Sequence, residues 1–236
     1  MSAETVSNKL KTSSLGKIEV LKNDIQVIVK KILDLEVKHV KTLEELNLKY
    51  ELREIDLMKG QQKDSRYLQL QPFGKVPAIV YGDHKLFESR SILRYIAKNN
   101  TEDTDLTLND SPYVDMWLEV ESQNFNPPIS KFIYEKVFKR WNNPEAIIDE
   151  SVLTSALEEL GSVFDIYESR LSESKYIGGN SFSIADISHI PYLHMLVTSG
   201  PEYKTFLKKY PHVYKWYKRI LMKDSVKEVL GIKETV

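Results

Sequence analysis

The sequence is expected to fold as an α/β domain followed by an all-α domain. Three observations predict this. Residues 17–98 mix strand-like alternation with helix-like periodicity. Residues 99–110 (NNTEDTDLTLND) are acidic and polar, without a long apolar run, which marks a linker. Residues 111–236 give helical periodicity with no strand signal of note.

Each element follows in order. Residues 1–16 are polar and read as a mobile tail, and they lack the apolar core of a signal peptide. Lys17-Ile18-Glu19-Val20-Leu21 alternates like a short strand. Asn23-Asp24 then reads as a turn into a long helix over 25–47, with Val29, Ile32, Leu33, Val37, Val40 and Leu43 on its apolar face. Residues 48–55 alternate as a second strand, and a short helix is expected over 64–70. In the run 71–89 (QPFGKVPAIVYGDHKLFES), Pro72 and Gly74 punctuate a loop. Ala78-Ile79-Val80-Tyr81 and Lys85-Leu86-Phe87 make a hairpin turning at Gly82-Asp83, and a helix opens at Glu88-Ser89. The order over 17–98 is β-α-β-α-β-β-α. Beyond the linker, helices are expected near 111–140, 149–173, 183–196, 200–208 and 211–229. Ser183-Ile184-Ala185-Asp186 follows the capping-box pattern, with Phe182 and Ile187 placed for a hydrophobic staple. Asp186 therefore reads as a folding residue rather than a catalytic acid.

Composition narrows the function classes. With 236 residues the chain can bury one large or two small cores. A net charge of −1 gives no overall field to recruit nucleic acid or a membrane surface. No apolar run approaches the ~18 residues of a spanning helix. The absence of cysteine excludes disulfides and thiolate ligands, and the reducing cytoplasm is the expected compartment. His189 and His194 are five apart, whereas a helical metal pair prefers three or four, so no metal site is expected.

The run 71–89 resembles the glutathione-binding half of a cytosolic glutathione transferase, most closely of the plant-type phi class. Three further segments resemble the helical domain of that family: residues 117–131 (WLEVESQNFNPPISK), 174–196 (SKYIGGNSFSIADISHIPYLHML) and 208–221 (KKYPHVYKWYKRIL). The resemblance covers almost everything from Lys17 onward. It implies a thioredoxin-like domain at 17–98, a helical domain at 111–236 and a homodimer. Glutathione would be a co-substrate rather than a resident cofactor, and a small hydrophobic molecule the second substrate.

The resemblance also assigns roles. Glu88 would meet the ligand's ammonium and Ser89 its γ-glutamyl carboxylate, while the Val76 backbone would pair with the cysteinyl unit as a strand edge does. Pro77 resembles the family's cis-proline. Lys63 and Lys75 would face the glycyl carboxylate, with Gln62 where the family often has His. The plainer readings are a first-turn carboxylate, an N-cap and solvated lysines. Trp117, Phe125 and Phe132, with Ile133 and Phe138, would line an electrophile pocket, or would be ordinary core. Phe73 is the candidate interface side chain.

The chain departs from the family at the thiol-activating position, where the phi class carries Ser. Laying Val29-Lys30-Lys31-Ile32 on the family's V-R-R-V pattern puts Gln26 there, with Asn23 nearby as a second donor. Laying Val37-Lys38-His39-Val40 on it puts Asp34 there, which would oppose thiol ionisation. Two functions fit: slow glutathione conjugation with a peroxidase side activity, or a ligandin-type protein that holds glutathione or an amphipathic metabolite without turnover.

Overall fold

A computed structural model describes residues 25–29, 50–57, 59–99, 111–230 and 232. Four strands make one sheet: β1 (Ile25–Val29), β2 (Tyr50–Glu54), β3 (Ala78–Tyr81) and β4 (His84–Phe87). Their order is β2-β1-β3-β4. β1 runs parallel to β2, with Ile25 opposite Tyr50, and antiparallel to β3, with Ile28 opposite Ala78. β3 and β4 form the expected hairpin, and Gly82 takes φ 57° in its two-residue turn, a conformation that favours glycine.

One expectation is corrected here. Ile25–Val29 is a strand, not the start of a helix over 25–47. The reason is local: Ile25, Val27, Ile28 and Val29 are β-branched, and their stiff side chains suit a central strand. Gln26 is therefore paired with Glu51 on one side and Val80 on the other. It does not stand at a helix N-terminus, where the donor to a thiol was expected. Residues 17–21, Asn23, Asp34, the tail 1–16 and residues 100–110 of the linker lie outside the described residues.

A short helix, α1 (Ser65–Leu68), precedes the hairpin, and α2 (Ser89–Asn99) follows it. A long helical run then extends through α3 (Pro112–Val120), α4 (Asn126–Ile133) and α5 (Lys139–Asn142). Two π-helical segments, Glu121–Phe125 and Tyr134–Phe138, interrupt it. Pro127 and Pro128 stand just after the first; each lacks an N–H and crowds the preceding turn, which the wider π turn accommodates. The remaining helices are α6 (Glu150–Glu173), α7 (Ile184–Thr198), α8 (Pro201–Lys208), α9 (Pro211–Leu221) and α10 (Asp224–Leu230). All begin within two residues of the sequence expectation, except that 211–229 divides at Met222-Lys223.

The main core is aromatic. Trp117 meets Tyr167 edge-on at 5.5 Å, Phe132 meets Tyr203 at 4.8 Å, and His189 lies 4.7 Å from Phe125. Phe125, Phe132 and Ile133 are fully buried and Trp117 nearly so. They pack against other rings inside the helical half. Ile92, Leu93, Ile96 and Ala97 of α2 join the same core, so the last helix of the α/β half is packed into the helical half. His189 is a core residue: its Nδ1–H donates to the Ala185 carbonyl (2.6 Å), and its Nε2 meets the Tyr167 hydroxyl (2.9 Å).

Two carboxylates organise the helical half. Asp186 is fully buried and accepts four hydrogen bonds, from the Ile177 N–H (2.9 Å), the Ser183 N–H (2.9 Å), the Ser183 hydroxyl (2.9 Å) and the Trp216 indole (2.7 Å). Burial raises its pKa, and the four donors pull against that. Glu168 of α6 caps α9 from outside. It accepts from the His212 N–H (2.9 Å), the Val213 N–H (3.0 Å) and the His212 ring (2.6 Å).

Burial works to raise the Glu168 pKa, but these donors outweigh it and hold the group below its ordinary 4.5. A depressed folded pKa means stability that is present above the unfolded value and lost as pH falls through the folded one. Glu168→Gln is expected to cost about 1–2 kcal/mol at pH 7, and the gap to wild type should close as pH drops below the unfolded value. Urea melts of both proteins across that range measure it; a gap that does not change with pH would remove the charge from the explanation.

Candidate functional site

The loop between α1 and β3 is held by its own polar groups. Gln71 is buried, and its side-chain oxygen accepts from the Phe73 N–H (2.7 Å) while its carbonyl accepts from the Gly74 N–H (3.0 Å). The Lys63 ammonium donates to the Phe73 carbonyl (3.0 Å). Gly74 takes φ 60°, and a Cβ there would lie 2.7 Å from the Lys63 side chain and 2.8 Å from the Gln62 carbonyl. Only glycine fits that position. The Tyr67 hydroxyl donates to the Lys75 carbonyl (2.6 Å), and burial pushes its pKa up to about 12, so it stays a donor at neutral pH.

These contacts fix the approach to β3. The Val76-Pro77 peptide bond is cis. No hydrogen bond reaches the Val76 N–H or carbonyl from the described residues. Ile28 of β1 stands opposite Ala78, two residues after Val76. Glu88 follows β4 at φ 67°, a left-handed conformation that costs a non-glycine residue about 1–2 kcal/mol. Its carbonyl accepts from the Ile92 N–H (3.0 Å), which makes it the N-cap of α2, and its carboxylate is exposed. Ser89 is the first residue of that helix, so first-turn N–H groups gather beside Glu88.

The expected residues divide into two groups. Val76, Pro77, Glu88 and Ser89 lie at the start of β3 and the start of α2, adjacent to each other through the β3–β4 hairpin, in which Ala78 is opposite Phe87. Lys75 is exposed beside them. Gln62 and Lys63 also hold the chain around the loop. The Gln62 amide nitrogen donates one N–H to the Leu57 carbonyl (3.4 Å), which leaves its second N–H. Lys63 spends one donor on Phe73 and remains exposed. Phe73 is 63% exposed at the tip of the loop, touching Phe87 edge-on at 6.1 Å. Sequence reasoning missed Gln71 and Tyr67. The signal for Gln71 was slight: a polar residue directly before Pro-Phe-Gly, where a loop needs an internal acceptor.

α2 is anchored to the long helical run by charge. Arg90 donates to Glu121 at 2.5 Å, and Glu121 is fully buried at the first π segment. One turn on, Arg94 pairs with Asp115 (2.5 Å) and with Glu119. Among the described residues no group of three or more His, Cys, Asp or Glu is placed to hold a metal ion, and no helix is long and apolar enough to cross a membrane.

The family profile described as glutathione S-transferase, N-terminal domain, matches residues 27–98, and that described as glutathione S-transferase, C-terminal domain, matches 130–224. Glutathione S-transferase F10 of Arabidopsis thaliana is 40% identical over 195 residues, spanning 80% of this chain and 89% of that protein. The crystal structure of glutathione transferase F7 from Populus trichocarpa superposes with a TM-score of 0.82 at 31% identity, covering 88% of this chain and 98% of that one. Glutathione S-transferase I from maize, solved with an atrazine glutathione conjugate, superposes with a TM-score of 0.78 at 28% identity, covering 90% of this chain and 99% of that one.

Proposed function

This chain belongs to the glutathione S-transferase family, and from that premise we propose that it binds glutathione at the Val76–Ser89 site and transfers its sulfur to a small hydrophobic electrophile. The observation that carries the reading is the pairing of a Val76 backbone that no described residue bonds with a helix start at Glu88-Ser89. A peptide-like ligand needs both: an edge for its amides and N–H groups for its carboxylate. Glu88 keeps a left-handed backbone at some cost, and a carboxylate aimed at the ligand's ammonium accounts for that. Lys75 supplies positive charge at the glycyl end.

Conjugation is favoured over simple retention of a ligand, because the relatives spanning most of this chain are named as transferases. The thiol must ionise below its usual ~8.5 to attack. A hydrogen-bond donor or a positive charge at the sulfur achieves this. The protein is further proposed to work as a homodimer in the cytoplasm, with the exposed Phe73 seated in the partner copy.

Replacing Glu88 by Gln is expected to weaken glutathione binding by about 1.5–3 kcal/mol in calorimetry, the range for a charged hydrogen bond. Equal affinities would remove Glu88 from the site. Gln26→Ser should leave the pH–rate profile of aryl-halide conjugation unchanged, because position 26 is a paired strand residue; a faster variant with a lower apparent thiol pKa would restore Gln26 to the donor position. Phe73→Ser should shift sedimentation toward monomer, and a wild type that is already monomeric at micromolar concentration would end the dimer reading.

A further inference from the structure

A cavity lies between the end of α6 and α9. Its volume is about 270 Å³. That is just below the ~300–1,000 Å³ of sites for drug-sized ligands, so it suits a single charged group and a small part of its carrier. Its wall carries Lys175, His212, Lys215 and Arg219 against one carboxylate, Glu173. His212, Lys215 and Arg219 are spaced by three and four, so they form one stripe along α9.

The fold alone does not call for this gathering. The end of α6 carries a partial negative charge of only about half an elementary charge, which Lys175, Lys215 and Arg219 together exceed. Lys215 and Arg219 are like charges at i,i+4, an arrangement that destabilises a helix by a few tenths of a kcal/mol. Yet three of these four side chains are held in place. Glu168 fixes the His212 ring through Nδ1 (2.6 Å). Arg219 lies over the Tyr176 ring (5.6 Å) and donates to the Lys175 carbonyl, while the Lys175 ammonium lies over the same ring (5.8 Å). The hydroxyl of Ser174 donates to the Arg170 and Tyr176 carbonyls and that of Ser172 to Ser169, so recognition falls to the cations.

We propose that this groove is an anion site for a phosphate monoester, distinct from the glutathione site. A dianion with three acceptor oxygens matches several cations held on one wall, and arginine adds a planar fork. The carrier of the phosphate is either a small metabolite or the headgroup of an anionic lipid, and the chemistry at the wall is common to both.

The test uses the full chain saturated with glutathione. Phenyl phosphate is titrated by calorimetry in one arm. In the other, sedimentation is measured with phosphatidylcholine vesicles with and without phosphatidic acid. Saturable binding in either arm is expected, and the arm that responds names the carrier. Lys215→Ala should weaken it about tenfold or more, whereas Lys218→Ala, an exposed cation of α9 outside the cavity wall, should leave it unchanged. Both substitutions are at exposed positions, so folding is not at stake. No saturable response in either arm would overturn the proposal. So would equal weakening by both substitutions, which is the mark of diffuse attraction to a basic helix.

Discussion

The contact on which the site depends is the ion pair between Arg90 and Glu121. Glu121 has no exposure to solvent, and Arg90 reaches it at 2.5 Å from the first turn of α2. A buried pair of this kind adds little net stability, because desolvation consumes most of the attraction, but removing one partner strands a charge at a cost of about 3–5 kcal/mol. The pair therefore acts as a register pin. It sits one residue from Ser89 and two from Glu88, so it sets where the start of α2 stands relative to the helical half. The charge of Glu121 is felt further: it adds to burial in raising the pKa of Tyr167 and Tyr192. Arg94 repeats the device one turn later at the surface, where exposed pairs count for less.

The π segment explains how a carboxylate comes to face inward there. A straight helix from Pro112 to Asn142 meets Pro127-Pro128 without room for their rings. Widening the turn over Glu121–Phe125 relieves the clash and rotates the residues before the prolines, and Glu121 and Phe125 are both buried. Ser130 then closes the backbone after the prolines, its hydroxyl donating to the Asn126 carbonyl at 2.6 Å. A sequence feature that looks like a flaw in a helix thus positions the partner of Arg90.

What the sequence disclosed and what it hid divide along physical lines. The hairpin was legible because turn chemistry is local: Gly82-Asp83 between two β-prone runs leaves few alternatives. The capping box at Ser183 was legible for the same reason. β1 was misread because IQVIV, a nearly continuous apolar run, carries no clean alternation, and the helical spacing downstream could be extended back over it. Central strands with neighbours on both sides read this way, and only the β-branched content argued for a strand. The ring residues Trp117, Phe125 and Phe132 could not be assigned from spacing, since a core and a pocket wall ask for the same side chains. Gln71 and Tyr67 were hidden because their partners exist only once the loop has closed.

Binding and activation consequently place different demands on this sequence. The loop spends its side chains on itself: Gln71 on Phe73, Lys63 on the Phe73 carbonyl, Tyr67 on the Lys75 carbonyl. In the proposed reading, recognition rests largely on backbone, at Val76 and along the first turn of α2. Backbone recognition tolerates changes in side chain, so that reading accommodates Gln62 where the family often has His. Thiol activation has no such tolerance, because it needs one donor or one positive charge within reach of one atom. In the proposed reading, a change at the thiol-activating position therefore bears on rate far more than on affinity.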